Sequence, residues 1–139
     1  MASLDDLTFQ KLRFPRCIPR ELIESVKGIT FTPEDFYEYL ENTLPYGEEF
    51  LHVLIDKDKK IHGYLWFQRN SLDNSLFINT YSVSKEYWFK GEAIKKAVEF
   101  MREAKQWTRS DNVYWCTANP KYFEKHGFKK AKQTLMVAT

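Results

Sequence analysis

Apolar and polar positions alternate from Thr8 to Phe14, with Phe9, Leu12 and Phe14 as the apolar markers. Alternation at period two predicts a strand, which Pro15 ends. Pro19 then opens a helix whose apolar stripe is Leu22, Ile23 and Val26 and whose stop is Gly28. A second helix starts at Thr32-Pro33-Glu34-Asp35: a capping hydroxyl, a proline suited to the first helical position, and two acids facing the positive end of the dipole. Phe36, Leu40 and Leu44 repeat at helical spacing before Pro45 and Gly47 close it.

The middle of the chain returns to strand patterns. Phe50 to Ile55, Ile61 to Gln68 and Leu76 to Val83 are separated by the polar turns Asp56-Lys57-Asp58-Lys59 and Ser71-Leu72-Asp73-Asn74. Strands joined this closely form an antiparallel meander. After Val83 a turn at Lys90-Gly91 leads into a helical stripe of Ala93, Ile94, Ala97, Val98, Met101 and Ala104, ending near Gln106. Val113 to Thr117 reads as a strand. Asn119-Pro120 starts a brief helix to about Lys125, and Phe128 to about Val137 reads as a last strand. The order is β-α-α-β-β-β-α-β-α-β. A meander, a long crossover helix and a parallel return predict an α/β fold with a mixed, mostly antiparallel sheet flanked by helices.

Composition narrows the picture. The 139 residues suit a single domain, 1–139, and 43% apolar with 17% aromatic content supplies one core and excludes general disorder. A net charge of +2 points to no nucleic-acid partner. No apolar run approaches the roughly 20 residues of a membrane span, and the first residues show no secretory pattern. Cys17 and Cys116 have no Cys or His at metal-ligand spacing, so they read as buried or semi-buried thiols of a cytoplasmic protein, with no metal site. His52 and His62 fall within strand patterns as ordinary, partly buried histidines.

Two stretches carry a resemblance. The first is Val83-Ser84-Lys85-Glu86-Tyr87-Trp88-Phe89-Lys90-Gly91-Glu92-Ala93. With the element order, it resembles the GCN5-related N-acetyltransferases, as a divergent member. In that family this is the end of the fourth strand, a pyrophosphate-binding turn and a helix start. The family pattern is Arg or Gln, two residues, Gly, one residue, then Gly or Ala. Trp88, Gly91 and Ala93 stand at those positions, so the Arg or Gln is missing. Free N–H groups at a helix N-terminus bind phosphate, and small residues let the backbone approach it. Lys90 adds a positive charge; Phe89 crowds the turn, and Glu92 opposes an anion. Read without the resemblance, Gly91 is a turn glycine and Glu92 complements the helix dipole. The second stretch, Asn119 to Phe128, is similar to the family's closing segment, but Phe123 stands where the family has a tyrosine acid. Phenylalanine has no hydroxyl to donate.

The resemblance implies acetyl-CoA as cofactor, held by Tyr81, Val83, Trp88, Phe89, Lys90, Gly91, Glu92, Ala93 and Asn119. The acceptor is then a small-molecule or protein amine. Tyr122, beside Phe123, is the candidate acid. The fourth strand has no carboxylate. Alternation places Asn79, Tyr81 and Val83 on one face, where Asn79 can position a water. Glu48 and Glu49, just before the second strand, are candidate bases that read better as two solvated acids. A second reading keeps the fold as a non-catalytic binding or structural module, of a kind known among bacteriophage-encoded proteins. A third is an unrelated α/β binding domain. Tyr64, Trp66 and Phe67 on one strand, and Tyr87, Trp88 and Phe89 beside the turn, exceed what one core holds. They predict an exposed aromatic patch for a protein partner.

Overall fold

The central alternation builds the meander it predicts. A computed structural model describes residues 4–24, 33–43, 49–87, 91–116, 120–132 and 136–138, without the side chains of Thr43 and Tyr122. In it β2 (Glu49–Ile55), β3 (Ile61–Asn70) and β4 (Ser75–Val83) pair antiparallel. The Asp56 carboxylate pins the first turn, accepting from the backbone N–H groups of Asp58 and Lys60, each at 2.9 Å. Asn74 closes the second turn at φ 53°, a left-handed conformation that asparagine adopts more readily than most residues. β1 (Thr8–Lys11) adds antiparallel to β2. β5 (Asn112–Trp115) adds parallel to β4, and the crossover that a parallel pair requires is α3 (Glu92–Trp107). The sheet runs β1-β2-β3-β4-β5.

Helices cover both faces. α1 (Arg20–Glu24) and α2 (Pro33–Thr43) bury Leu22, Ile23, Phe36 and Leu40 against Leu51, Val53, Tyr64 and Trp66. On the other face α3 sets Met101 and Ala104 against Leu65, Phe67, Leu76 and Ile78. Both faces of β3 are thus covered, and Tyr64, Trp66, Phe67 and also Tyr87 are buried. These four therefore contribute nothing to the expected aromatic patch; Trp88 and Phe89, its other two residues, lie outside the described residues.

Gly63 marks a close approach between strands. A Cβ there would stand 2.7 Å from the Ser82 carbonyl oxygen and 3.2 Å from Leu54 Cδ1, so only glycine fits. β4 carries a bulge. Trp66 pairs with Thr80 but Phe67 with Ile78, which leaves Asn79 as an extra residue. Leu76 and Ile78 therefore face α3, and so do Tyr81 and Val83 after the bulge. Ser82 points the other way, donating to the Leu22 carbonyl of α1 at 3.1 Å.

Three readings are corrected. The strand at Phe128 to Val137 is absent among the described residues. Phe128 is drawn instead onto Phe123 and Trp115, with ring centroids 5.6 and 6.5 Å away. The lysines that follow offer no apolar alternation, and Met136 and Val137 are exposed. The first strand stops at Lys11, and Phe14 is exposed ahead of a short helical turn at Pro15–Cys17. Cys17 and Cys116 are exposed free thiols, at the end of that turn and just past β5. α4 (Pro120–Glu124) forms as expected. It ends through Gly127 at φ 91°, with the Phe128 N–H donating to the Phe123 carbonyl at 3.1 Å.

Candidate functional site

Pairing between β4 and β5 runs from Ser75–Asn112 to Ile78–Trp115 and ends there. The next residue of β4 is the bulged Asn79. A bulge bends its strand and sharpens the twist; β4 continues past it to Val83, whereas β5 ends at Trp115. The ladder between the two strands ends at this point. On the α3 face Tyr81 and Trp115 meet edge to face beyond its last pair, with centroids 5.9 Å apart. Trp115 also packs on Phe123 of α4 at 4.5 Å.

The start of α3 lies beside this end of β4. Gly91 caps the helix at φ 88° with no side-chain hydrogen bond to the first turn. That conformation favours glycine, and the first N–H groups of a helix have no partner within it. The Tyr81 hydroxyl donates to the Ala93 carbonyl at 2.6 Å, tying β4 to the helix. Burial pushes the Tyr81 phenol well above its ordinary pKa, so it remains a donor. Glu92 is exposed in the first turn.

The structure therefore brings together Tyr81, Val83, Gly91, Glu92 and Ala93. Trp88, Phe89, Lys90 and Asn119 lie outside the described residues, as does the Tyr122 side chain. Phe123 is buried. Asn79 does not share the face of Tyr81, because the bulge breaks the alternation. Its amide donates to Gln68 Oε1 at 3.2 Å, on the α1–α2 side. Glu48 lies outside the described residues. Glu49 is not a freely solvated acid: it is half-buried and accepts from Trp66 Nε1 at 2.5 Å and the Tyr39 hydroxyl at 3.3 Å.

Two features have no counterpart in the motif reading. One is Trp115, whose alternation with Val113 was the available signal. The other is a tether at the end of β4, where the backbone N–H and the hydroxyl of Ser84 donate to the His62 carbonyl at 2.8 and 3.0 Å. The His62 ring lies 2.8 Å from Asp56 and 3.5 Å from Glu86, under Tyr87. The hydrogen bond with His62, with help from the Lys60 N–H, holds the Asp56 carboxyl below its ordinary pKa. This cluster fixes the segment that leads from β4 towards Gly91.

No family model matches the sequence, and no curated protein does. Solved structures do match. A possible acetyltransferase from Clostridium difficile 630 superposes with a TM-score of 0.74 at 12% identity, over 96% of this chain and 97% of the other. Glucosamine-6-phosphate N-acetyltransferase from Arabidopsis thaliana gives 0.68 at 22% identity, over 95% and 97%. An acetyltransferase from Trypanosoma brucei gives 0.68 at 14% identity, over 96% and 100%. The chain has the GCN5-related N-acetyltransferase fold. At these identities the likeness shows the fold alone. It sets aside the reading of an unrelated α/β domain.

Proposed function

We propose that the protein is an acyl-CoA-dependent N-acetyltransferase that delivers an acetyl group to a small-molecule or protein amine. The observation that carries this reading is the left-handed Gly91 opening α3 without a side-chain cap, next to the part of β4 that extends past its last pair with β5 at Ile78–Trp115. The residues present fit acetyl-CoA: a left-handed glycine and free helix N–H groups suit a pyrophosphate. The backbone from Trp88 to Ala93 would hold that group. Tyr81 and Val83 would flank the pantetheine arm, with Asn119 beside it. Acetyl-CoA supplies the activated acyl group.

The chain's own contribution is orientation and backbone donors that polarise the acyl carbonyl. Tyr122 is the candidate acid on α4. Asn79 stands on the opposite side of the sheet from Tyr81, where it can position a water for the acceptor. Acid–base help is worth roughly 10²–10⁴-fold, so turnover without a strong acid or base is expected to be slow. The exposed, unpaired Cys17 and Cys116 fit a reducing cytoplasm.

Calorimetric titration with acetyl-CoA, followed by amine-dependent thiol release over a broad amine panel, tests the proposal. Weak binding and slow release are expected. Phe123→Tyr is expected to raise release, and Tyr122→Phe to leave it unchanged unless Tyr122 has taken over the acid role. No heat and no thiol from the protein or from Phe123→Tyr would sink the enzymatic reading. The non-catalytic module would then stand, with Trp88 and Phe89 as the first place to seek a protein partner.

A further inference from the structure

β5 is the last strand of the sheet, and its outer edge has no strand partner among the described residues. Such an edge presents N–H and C=O groups ready to pair with another chain. Proteins often blunt an open edge by placing charge or proline on the strand itself. β5 reads Asn112-Val113-Tyr114-Trp115 and has neither. The charge stands around it instead.

A groove of about 600 Å³ runs along this edge. Its floor includes Val113 and Tyr114 of β5. One wall is α3, with Arg102 and Lys105, and the other is the segment after α4, with Lys129, Lys130 and Lys132. Among the described residues those five cations line the groove, and no carboxylate does. A second cavity, lined again by Arg102 and Lys105, extends the basic surface to Arg109. The walls are linked: Arg102 Nη2 donates to the His126 carbonyl at 2.6 Å. A Cβ on Gly127 would stand 2.9 Å from the same nitrogen. The Arg102–His126 contact joins α3 to the segment after α4 across one end of the groove.

We propose that this groove receives an extended acidic segment of another protein, which pairs with β5 as an added strand while its carboxylates meet the flanking cations. Strand addition draws affinity from main-chain hydrogen bonds and specificity from alternate side chains. The surrounding charge favours acidic partners and rejects basic ones. A second copy of this chain is disfavoured, because pairing β5 with β5 would set two cationic grooves against each other. A nucleic acid would use the cations and leave the strand edge unpaired. The proposal does not depend on acetyl transfer.

Fluorescence anisotropy with a labelled hexapeptide of alternating glutamate and valine tests it on the full chain. Saturable binding is expected, weakened about tenfold when Lys129→Gln and Lys130→Gln are combined, with the amides of β5 slowing in hydrogen exchange on binding. Both lysines are exposed, so the variant is expected to fold; a circular dichroism spectrum checks this, and Lys132→Gln gives a second, independent loss. Absence of binding overturns the proposal. So does equal binding of the same peptide with a central proline, unchanged affinity in the lysine variants, or tighter binding of single-stranded oligouridylate. A stable dimer that excludes the peptide overturns it in favour of self-association.

Discussion

The hydroxyl of Tyr81 reaches across to the Ala93 carbonyl at 2.6 Å, so the end of β4 that extends past β5 is bolted to the first turn of α3. Tyr81→Phe keeps the ring against Trp115 and removes only this bond. A loss of about 1 kcal/mol in stability is expected, the usual net worth of a hydrogen bond. Urea denaturation measures it. An unchanged midpoint would show that the bond contributes nothing net.

Tyr64 gives the opposite sign. It is fully buried beside Phe36, at 5.8 Å between ring centroids, and its hydroxyl has no hydrogen-bond partner. A buried polar group left unsatisfied costs roughly 1–3 kcal/mol. Tyr64→Phe is expected to raise stability by about 1 kcal/mol in the same denaturation experiment. A destabilised variant would mean that the hydroxyl is satisfied in solution, for instance by water.

His52 makes stability depend on pH. Burial, with a smaller effect from Lys11, lowers its imidazole pKa to about 4. In the unfolded chain it titrates near 6.5. Between those values the unfolded state binds the proton and the folded state does not. The stabilisation is therefore complete above about pH 6.5 and is lost as pH falls towards 4, by about 3 kcal/mol in all. His52→Leu is expected to flatten this part of the profile. It sacrifices no observed hydrogen bond, since Nδ1 has no partner. Parallel profiles for the two proteins would assign the acid sensitivity elsewhere.

Glu92 is expected to separate stability from cofactor binding. Its carboxylate favours the start of α3 by roughly 0.3–1 kcal/mol, but it opposes an anion at the same place. Glu92→Gln should lower the thermal midpoint slightly and tighten acetyl-CoA severalfold. Calorimetry and thermal denaturation read the two effects independently. Weaker binding in the variant would remove the anion site from the start of α3.

How much of this is legible in the sequence follows from what each element depends on. The meander is, because alternation and the turn residues Asp56 and Asn74 are local signals. The crossover helix is, because Ala93, Ala97, Val98, Met101 and Ala104 are all buried as their spacing implies. The displacement of Asn79 is not, because a bulge arises from register against β3 and leaves the local pattern unmarked. The absence of the last strand among the described residues is a matter of competition: Phe128 packs on Phe123 and Trp115, and the lysines after it offer no alternating apolar run. In the candidate site, Gly91 and Ala93 are recognisable from the helix start. Trp115 is not, because its role depends on Tyr81 crossing to it from another strand.

The extra residue in β4 also sets which substitutions the strand can bear. Up to Ile78 the even-numbered positions carry the bulky side chains required by α3; from Tyr81 onward the odd-numbered positions do, while Thr80 and Ser82 are buried on the other side. A saturation scan of Ser75–Val83 should accordingly show its tolerance pattern invert parity at residue 79. Deleting that one codon would do more harm than most replacements within the strand. It would leave every residue type intact and turn Thr80 and Ser82 towards α3, with Tyr81 and Val83 turned away from it.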